Sequence, residues 1–424
     1  MQMTPHQLPR CWSLSIGDEL LIGQTINTNS AWMGAKLSEA GYRLVGSSVC
    51  GDDETDITLA IQHALHNSEI VIMTGGLGPT KDDITKNVLA KYFEMPLEFH
   101  PDVFEKVKAY FDERGKVMPE LNRNQAMLPH GCKILPNRRG TASGMWFEPN
   151  DKVLISLPGV PYEMQTLMEE EVIPRLNLYF DPGKIYHRTI LTYGIGESRL
   201  AEMLEEWENS LETDNIKLAY LPSPGMVKLR MSIYQTQENN TRQVIERKEK
   251  ELLEIVGDAH FGFDNDDMAT VVGQLCSHHG LTIAAAESCS AGALAHKIVS
   301  VPGSSQYFLG SVVTYSSESK SSLLGVSPQS IERYGVVSET VALEMAAGVR
   351  KLINTDYALS ATGVAGPDGG DDTNPVGSVW IGISSAKRTA AYRFQFGKSR
   401  ANNMEMTATA ALNLLRKEIL KDLS

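Results

Sequence analysis

The stretch E69-I-V-I-M-T-G-G-L-G-P-T-K-D-D83 decides the fold. Its apolar run is typical of a strand that is buried on both faces, and a glycine turn follows it directly. We expect the next helix to begin at about Asp82. The same order of strand, loop and helix occurs twice before this point, with strands at 13–16 and 42–49 and helices at 30–40 and 55–66. This βαβαβα pattern predicts a parallel sheet that is covered by helices.

The alternation continues and divides the chain into three domains. Pro182-Gly183 interrupts it, and the next segment, to about residue 257, has the pattern βαββα of a small separate domain. Strands and helices then alternate again up to a long amphipathic helix. We therefore predict an α/β fold with two three-layer α/β/α domains, mainly parallel sheets and a small α+β linking domain. The predicted bounds are a leader at 1–12 and domains at 13–182, 183–260 and 261–424.

Composition excludes several classes of protein. The net charge of −13 and the scattered basic residues argue against a nucleic-acid surface. No apolar run approaches the roughly 18–20 residues that a membrane helix needs. The first residues lack the apolar core of a signal peptide. Five widely spaced cysteines favour a reducing compartment, so we expect a cytoplasmic protein without nucleic-acid or membrane partners.

Three loops of the first domain carry candidate ligand groups. Each follows a strand, so all three are expected at the edge where open α/β sheets bind ligands. Glycines let the backbone approach a phosphate, and adjacent carboxylates suit a divalent cation such as Mg²⁺. Tight turns with an acidic first helical turn would explain the same residues without a ligand. The candidate substrate-binding residues are Gly17, Glu19, Thr74, Gly75, Gly76, Gly78, Thr80 and Lys81, and the candidate metal ligands are Asp52, Asp82 and Asp83.

The last domain contains parts suited to hydrolysing an amide without a metal. A284-A-A-E-S-C-S-A-G292 and V301-P-G-S-S305 are hydroxyl-rich turns, and Lys320 follows on a predicted helix. A partly desolvated lysine can activate a serine. Ser317 has the S-x-x-K spacing that places it on the helical face of Lys320, whereas Ser305 lies on a Gly-Ser turn. The residues alone leave the choice between these two serines open.

Motifs along nearly the whole chain resemble those of the competence/damage-inducible CinA family. They include GDELLIGQ, GGLGPTKDD, N124-Q-A, G140-T-A-S-G144, LPGVPYEM, AESC, VPGSS, VTYS with Lys320, and ATGVAGPDGG. The first domain resembles the molybdopterin-binding fold of the MogA and MoeA proteins. In this family the resemblance implies ADP-ribose hydrolysis with Mg²⁺, Mn²⁺ or Co²⁺. The last domain resembles the PncC amidohydrolases, which deamidate nicotinamide mononucleotide, and no cofactor is expected there. The resemblance also implies a homodimer.

Carried over by position, the resemblance assigns roles to the last domain. Ser305 is implied as the nucleophile, Lys320 as its base and Tyr315 as a catalytic tyrosine. Arg400 matches a phosphate-binding arginine, although an exposed arginine at the start of a helix is an equally good reading of the residue alone. The remaining candidate substrate contacts are Glu287, Ser288, Ser290, Gly303, Ser304, Thr362, Gly363 and Gly366.

The sequence of the last domain departs from the family pattern. Ala291 stands where the family pattern has glycine, and its methyl group restricts positive φ. The sequence leaves two other functions open. The first domain could bind a pterin or nucleotide without hydrolysing it, or the whole protein could be a non-enzymatic adaptor in competence or recombination.

Overall fold

The structure is a computed structural model that describes residues 8–235 and 241–423. The chain divides into two compact units. The first consists of Met1–His187 with Ser232–Arg242, and the second of Arg188–Met231 with Gln243–Ser424.

The first unit is built on a six-stranded sheet with the order β2-β1-β3-β8-β7-β6. Strands β2, β1, β3 and β8 are parallel, β7 pairs antiparallel with β8, and β6 at the edge pairs antiparallel with β7. The helices and strands are β1 (Arg10–Ile16), α1 (Asp18–Leu21), α2 (Thr28–Glu39), β2 (Arg43–Cys50), α3 (Glu54–Asn67), β3 (Ile70–Thr74), α4 (Thr85–Tyr92), β4 (Leu97–Phe99), α5 (Pro101–Asp112), β5 (Met127–Pro129), β6 (Lys133–Leu135), β7 (Gly144–Phe147), β8 (Val153–Leu157), α6 (Pro161–Leu167) and α7 (Ile173–Tyr179).

Strand β3 is buried on both faces, as its sequence predicts. Ile70 and Ile72 contribute to one hydrophobic cluster, and Val71 and Met73 to the cluster on the other face. Helix α4 begins at Thr85 rather than near Asp82. The backbone N–H of Asp83 donates to the carbonyl of Thr80, so this stretch forms a turn before the helix.

The following segment forms a four-stranded sheet with the order β10-β11-β9-β12. Its elements are β9 (Lys184–Tyr193), α8 (Glu197–Ser210), β10 (Lys217–Ser223), β11 (Met226–Gln235), α9 (Thr241–Val256) and β12 (His260–Phe263).

The remaining chain forms a five-stranded sheet with the order β14-β13-β15-β16-β17. Strand β13 is parallel to both β14 and β15, and β16 and β17 extend the sheet antiparallel. The elements are α10 (Met268–His279), β13 (Ile283–Glu287), α11 (Ala293–Val299), β14 (Phe308–Val313), α12 (Ser317–Leu324), α13 (Pro328–Tyr334), α14 (Glu339–Ile353), β15 (Tyr357–Gly363), β16 (Ser378–Ser384), β17 (Thr389–Gln395) and α15 (Arg400–Leu423).

Helices cover both faces of this last sheet. Residues of α10, α11 and α15 pack with Ala285 and Leu359, whereas residues of α12 and α14 pack with Ala284 and Ala358 on the opposite face. The α/β fold class is therefore confirmed. Across residues 8–235 and 241–423, none of the helices combines the length and the hydropathy that crossing a lipid bilayer requires.

Candidate functional sites

The first candidate site is an acidic cleft at the carboxyl ends of the parallel strands of the first unit. It measures about 410 Å³, and its lining includes Glu19, Asp52, Asp82, Asp83 and the glycine loop that follows β3. These residues lie in three loops that are far apart in the sequence. The parallel register of the strands brings those loops to one edge of the sheet, as predicted.

The glycine loop has a backbone shape that larger residues would disrupt. Gly76 has a φ of 64°, and a Cβ there would lie 2.1 Å from the Thr85 hydroxyl oxygen. A Cβ on Gly78 would lie 2.3 Å from a carboxylate oxygen of Asp83. That carboxylate instead accepts hydrogen bonds from the Thr80 backbone at 3.0 Å and from the Thr80 hydroxyl at 2.5 Å. Asp83 is therefore fixed against the loop, with its carboxylate beside the backbone.

Carboxylates gather around Asp52. Burial raises the pKa of Asp52, and the nearby charges of Asp18, Glu19 and Asp82 raise it further. The Asp18 backbone N–H donates to the Asp52 carboxylate at 3.1 Å. The cleft therefore has an excess of negative charge that a bound cation would neutralise.

The predicted metal ligands Asp52, Asp82 and Asp83 line this same cleft. Within the described residues, no group of three or more His, Cys, Asp or Glu side chains has an arrangement that could hold a metal ion. Mg²⁺ commonly takes only one or two carboxylates and completes its coordination with water and substrate phosphates. The hard oxygen donors therefore fit such an ion, and the metal site stays a prediction. Of the other predicted contacts, Thr74 is buried at the end of β3 and Lys81 is exposed.

Sequence reasoning missed three side chains around the glycine loop. Lys86 lines a second cavity of about 280 Å³ on the far side of the loop, and burial lowers its pKa to about 8. Gln125 donates to the carbonyl of Leu77 at 3.2 Å and so anchors the loop. Glu163 lines the acidic cleft and is 8% exposed, and burial raises its pKa. Gln125 and Glu163 belong to the quoted N124-Q-A and LPGVPYEM motifs, which were the available signal.

The second candidate site surrounds Lys320, which is 1% exposed. Its ammonium donates to the Ser288 hydroxyl at 2.9 Å and to the carbonyl of Thr314 at 2.7 Å. Burial lowers the pKa of Lys320 because the charged form loses hydration. Within the described part of the chain its hydrogen-bonding partners are thus neutral oxygens, an environment that favours the neutral amine.

Two hydroxyls in the loops that supply the hydrogen-bond partners of Lys320 have unused hydrogen-bonding capacity. The side-chain oxygens of Ser290 and Thr314 are fully buried and have no hydrogen-bond partner within the described chain. Buried hydroxyls are usually satisfied, so an unpartnered pair is a candidate for contact with a ligand.

The structure also brings together Tyr315, Gly366 and Arg400, as the resemblance implies. The Arg400 guanidinium donates to the carbonyl of Gly366 at 2.8 Å and to the Tyr315 hydroxyl at 3.3 Å. Tyr315 is 64% exposed, so this group lies at the surface.

Ser305 lies at the opposite edge of the sheet from Lys320. It belongs to a 3-10 turn, Ser304–Gln306, that precedes β14, whereas Lys320 follows the carboxyl end of that strand. The parallel pairing of Ile283 with Phe308 and of Glu287 with Val313 fixes this direction. At about 3.3 Å per residue, the six-residue strand separates the two edges by roughly 16 Å. Within one chain the predicted Ser305–Lys320 pair is therefore not formed, and Gly303 and Ser304 lie away from Lys320 for the same reason.

Two predicted substrate contacts have structural roles here. The Glu287 carboxylate is fully buried and accepts from the backbone N–H groups of Gly292, Leu294 and Ala295, so it caps α11. The Thr362 hydroxyl donates to the carbonyl of Val336 at 2.6 Å. Gly363 ends β15 at the same edge as Ser288.

Ala291, which stands where the family pattern has glycine, fits the backbone of its loop. Ala291 adopts a φ of 50°, so its methyl group does not prevent the left-handed conformation. The neighbouring Cys289 is 6% exposed, and burial raises its pKa to about 12. Its thiol is therefore protonated at neutral pH and unsuited to nucleophilic attack.

Comparison with known proteins yields three family models that match successive parts of the chain. They are described as "Probable molybdopterin binding domain" for residues 12–178, "Damage-inducible protein CinA KH domain" for residues 187–262 and "CinA C-terminal domain" for residues 265–419. A CinA-like protein of Flavobacterium psychrophilum is 43% identical and covers 97% of this chain and 99% of its own. A CinA-like protein of Cytophaga hutchinsonii is 42% identical, with 96% and 97% covered. The crystal structure of the protein CinA from Thermoplasma acidophilum is 32% identical over 41% of this chain and 99% of its own, with a TM-score of 0.36.

Proposed function

The chain belongs to the CinA family, and on this basis we propose that it is a bifunctional hydrolase of pyridine nucleotides. Its last domain deamidates nicotinamide mononucleotide to nicotinate mononucleotide and ammonia. Its first domain hydrolyses ADP-ribose to AMP and ribose 5-phosphate with the help of a divalent cation.

The buried contact between Lys320 and Ser288 carries the amidohydrolase proposal. The two groups are 2.9 Å apart, and the lowered pKa of Lys320 makes the neutral amine accessible. A neutral amine can accept the hydroxyl proton as Ser288 attacks the carboxamide carbon. The C–N bond then breaks, ammonia leaves with that proton, and water releases the acyl group as the carboxylate. Ser288 thus replaces Ser305 as the proposed nucleophile.

Other side chains near the carboxyl ends of β13 and β14 suit the stabilisation of the oxyanion and the binding of the 5′-phosphate. The unpartnered hydroxyls of Ser290 and Thr314 can donate to the oxygen that becomes negative during attack. Arg400 can supply positive charge for the 5′-phosphate, and its hydrogen bond to the Tyr315 hydroxyl holds it beside the residue that follows Thr314.

Alanine substitutions separate the two serines. We expect Ser288→Ala to reduce ammonia release by about 10³-fold or more and Ser305→Ala to retain it, because only Ser288 contacts the base. Ser322→Ala, on the exposed surface of α12, is a matched control. Rapid quenching followed by mass spectrometry of the peptides should find Ser288 esterified by the acyl group of nicotinate mononucleotide, with its ribose 5-phosphate attached. An acyl group on Ser305 would contradict the assignment.

The acidic cleft carries the pyrophosphatase proposal. Its glycine loop can approach phosphate oxygens, and Asp52, Asp82 and Asp83 would hold the cation. When bound, such an ion neutralises phosphate charge and lowers the pKa of coordinated water. Thr80 orients the Asp83 carboxylate through two hydrogen bonds. Because Gly78 has no Cβ, the space beside that carboxylate stays open.

Product analysis tests this second activity. The full-length protein incubated with ADP-ribose and Mg²⁺, Mn²⁺ or Co²⁺ should release AMP, and Asp52→Asn should release much less. Absence of AMP with every metal would leave the first domain as a binding module without pyrophosphatase chemistry.

A further inference from the structure

We propose that the first domain has a second anion-binding subsite, formed by Lys86 behind the glycine loop, for a sugar or nucleoside phosphate. This inference deepens the proposed pyrophosphatase function and rests on it for the identity of the substrate. We call the space the Lys86 cavity. Its lining includes Gly76, Gly78, Lys86, Asn124 and Met127.

The Lys86 cavity and the acidic cleft share one wall. Gly76, Leu77, Gly78, Pro79 and Asp83 line both spaces. Ligand pockets usually measure about 300–1,000 Å³. The Lys86 cavity, at about 280 Å³, falls just below this range, and the acidic cleft, at about 410 Å³, lies in its lower part, so a substrate with two phosphates could extend from one space into the other. A substrate bound across the loop would place one end in each space.

The two spaces differ in charge. The charged groups that line the acidic cleft are carboxylates, and Lys86 is the single cation among the residues that line either space in the described chain. A cation in the acidic cleft could neutralise one phosphate of a pyrophosphate. Lys86 is placed to neutralise an anionic group on the other side of the loop, where it acts as a point charge.

The Lys86 ammonium is held in place but keeps donor capacity. It donates to the backbone carbonyl of Asn124, its one hydrogen bond within the described chain. An ammonium has three N–H donors, so two remain for a ligand. Gln125, the next residue, anchors the loop through Leu77, and the lysine and the loop are therefore positioned by the same short segment.

A buried hydroxyl packs against the shared wall, although it is not among the residues that line either space. The Thr85 side chain is fully buried, and its hydroxyl has no partner within the described chain. It lies against Gly76, where a Cβ would be 2.1 Å from the hydroxyl oxygen. The apolar side chains of Leu97 and Met127 complete the cavity lining, which suits a sugar face beside the anion.

Charge and structural roles of Lys86 can be separated by substitution. Lys86→Gln keeps a hydrogen-bond donor for the Asn124 carbonyl and removes the charge, and Lys86→Arg keeps the charge. Lys91→Gln on the same helix is the matched control, because Lys91 is exposed and pairs with Glu54 at the surface, where ion pairs contribute little. Thermal unfolding of each variant reports any loss of structure.

The readouts are the kinetics of ADP-ribose hydrolysis and calorimetric binding of inorganic pyrophosphate in the presence of Mg²⁺. Loss of a charge-assisted hydrogen bond predicts that Lys86→Gln raises KM about 10- to 100-fold with little change in kcat and weakens pyrophosphate binding similarly. Lys86→Arg should recover much of the affinity, and Lys91→Gln should behave as wild type.

The outcomes also distinguish this subsite from the proposed activity. Unchanged KM and pyrophosphate affinity in Lys86→Gln would overturn the subsite and leave the activity intact. If the wild-type protein binds pyrophosphate but releases no AMP, and the Lys86→Gln protein no longer binds pyrophosphate, the activity would be overturned and the subsite supported. Absence of pyrophosphate binding by the wild-type protein would overturn the subsite.

Discussion

The acidic cleft of the first unit and the Lys320 site of the second use the same edge of their sheets with opposite electrostatics. Around Asp52, burial and the negative charges of neighbouring carboxylates raise the pKa of that one carboxyl group. Around Lys320, one buried amine is surrounded by neutral oxygens. The first arrangement calls for a cation from solution, whereas the second contains its own proton acceptor. This difference, rather than the fold, separates a metal-dependent proposal from a metal-free one.

Removing the lysine should have the largest effect. Lys320→Met deletes the proposed base but keeps an unbranched side chain in the buried space, and we expect ammonia release from nicotinamide mononucleotide to fall by about 10³-fold or more. ADP-ribose hydrolysis by the same protein should not change. If the Lys320→Met protein deamidated nicotinamide mononucleotide at the wild-type rate, Lys320 would not be the proton acceptor of this site.

Asp52→Asn is the reciprocal change in the first unit. It removes one of the predicted metal ligands, and we expect AMP release from ADP-ribose to fall by about 10²-fold at fixed metal concentration, with partial recovery at higher metal. Ammonia release serves as the internal control. Equal loss of both activities would indicate damage to the fold instead of a local effect.

Arg400→Gln should have a smaller effect that depends on the substrate. Losing a charged contact to phosphate predicts a KM for nicotinamide mononucleotide that is about 10- to 100-fold higher. Nicotinamide riboside, which lacks the phosphate, should react equally well with both proteins. If Arg400→Gln slowed the deamidation of nicotinamide riboside as strongly, Arg400 would act through Tyr315 on the Lys320 site and not on the phosphate.

The smallest expected effect is on stability, and its sign differs between the sites. The pKa of Lys320 is lowered in the folded protein, so the unfolded chain binds more protons and wild type gains stability relative to Lys320→Met as pH rises towards 10.5. The pKa of Asp52 is raised, so wild type loses stability relative to Asp52→Asn as pH rises above 3.8. Each slope is at most about 1.4 kcal/mol per pH unit. Chemical unfolding across pH would measure both slopes, and slopes of equal sign would contradict the assigned environments.

The sequence predicted the strands and the loops that follow them, because apolar runs and glycine turns are local signals. It therefore located the glycine loop and Asp52, whereas the group around Arg400 was implied by the family resemblance. It did not identify Ser288 as the serine beside Lys320: the residues alone left Ser305 and Ser317 open as nucleophiles, and Ser288 was predicted only as a substrate contact. The directions of the strands distinguish Ser288 from Ser305. Because β13 and β14 are parallel, Ser288, which follows β13, and Ser305, which precedes β14, lie at opposite ends of the strands.

Other misses have a different physical cause. Glu287 is buried at the end of a strand, where a carboxylate could either contact a ligand or cap a helix, and its three backbone hydrogen bonds show the second role. Lys86 lies on a helix, where a lone lysine is usually solvated. Only the fold around the glycine loop places its ammonium beside a cavity.

The most direct test of the contrast is one sample assayed for both reactions with and without EDTA. We expect ammonia release from nicotinamide mononucleotide to continue unchanged in EDTA, whereas AMP release from ADP-ribose should stop and should return when excess divalent metal is added. Loss of ammonia release in EDTA, restored by metal, would contradict the claim that Lys320 and Ser288 act without a metal ion.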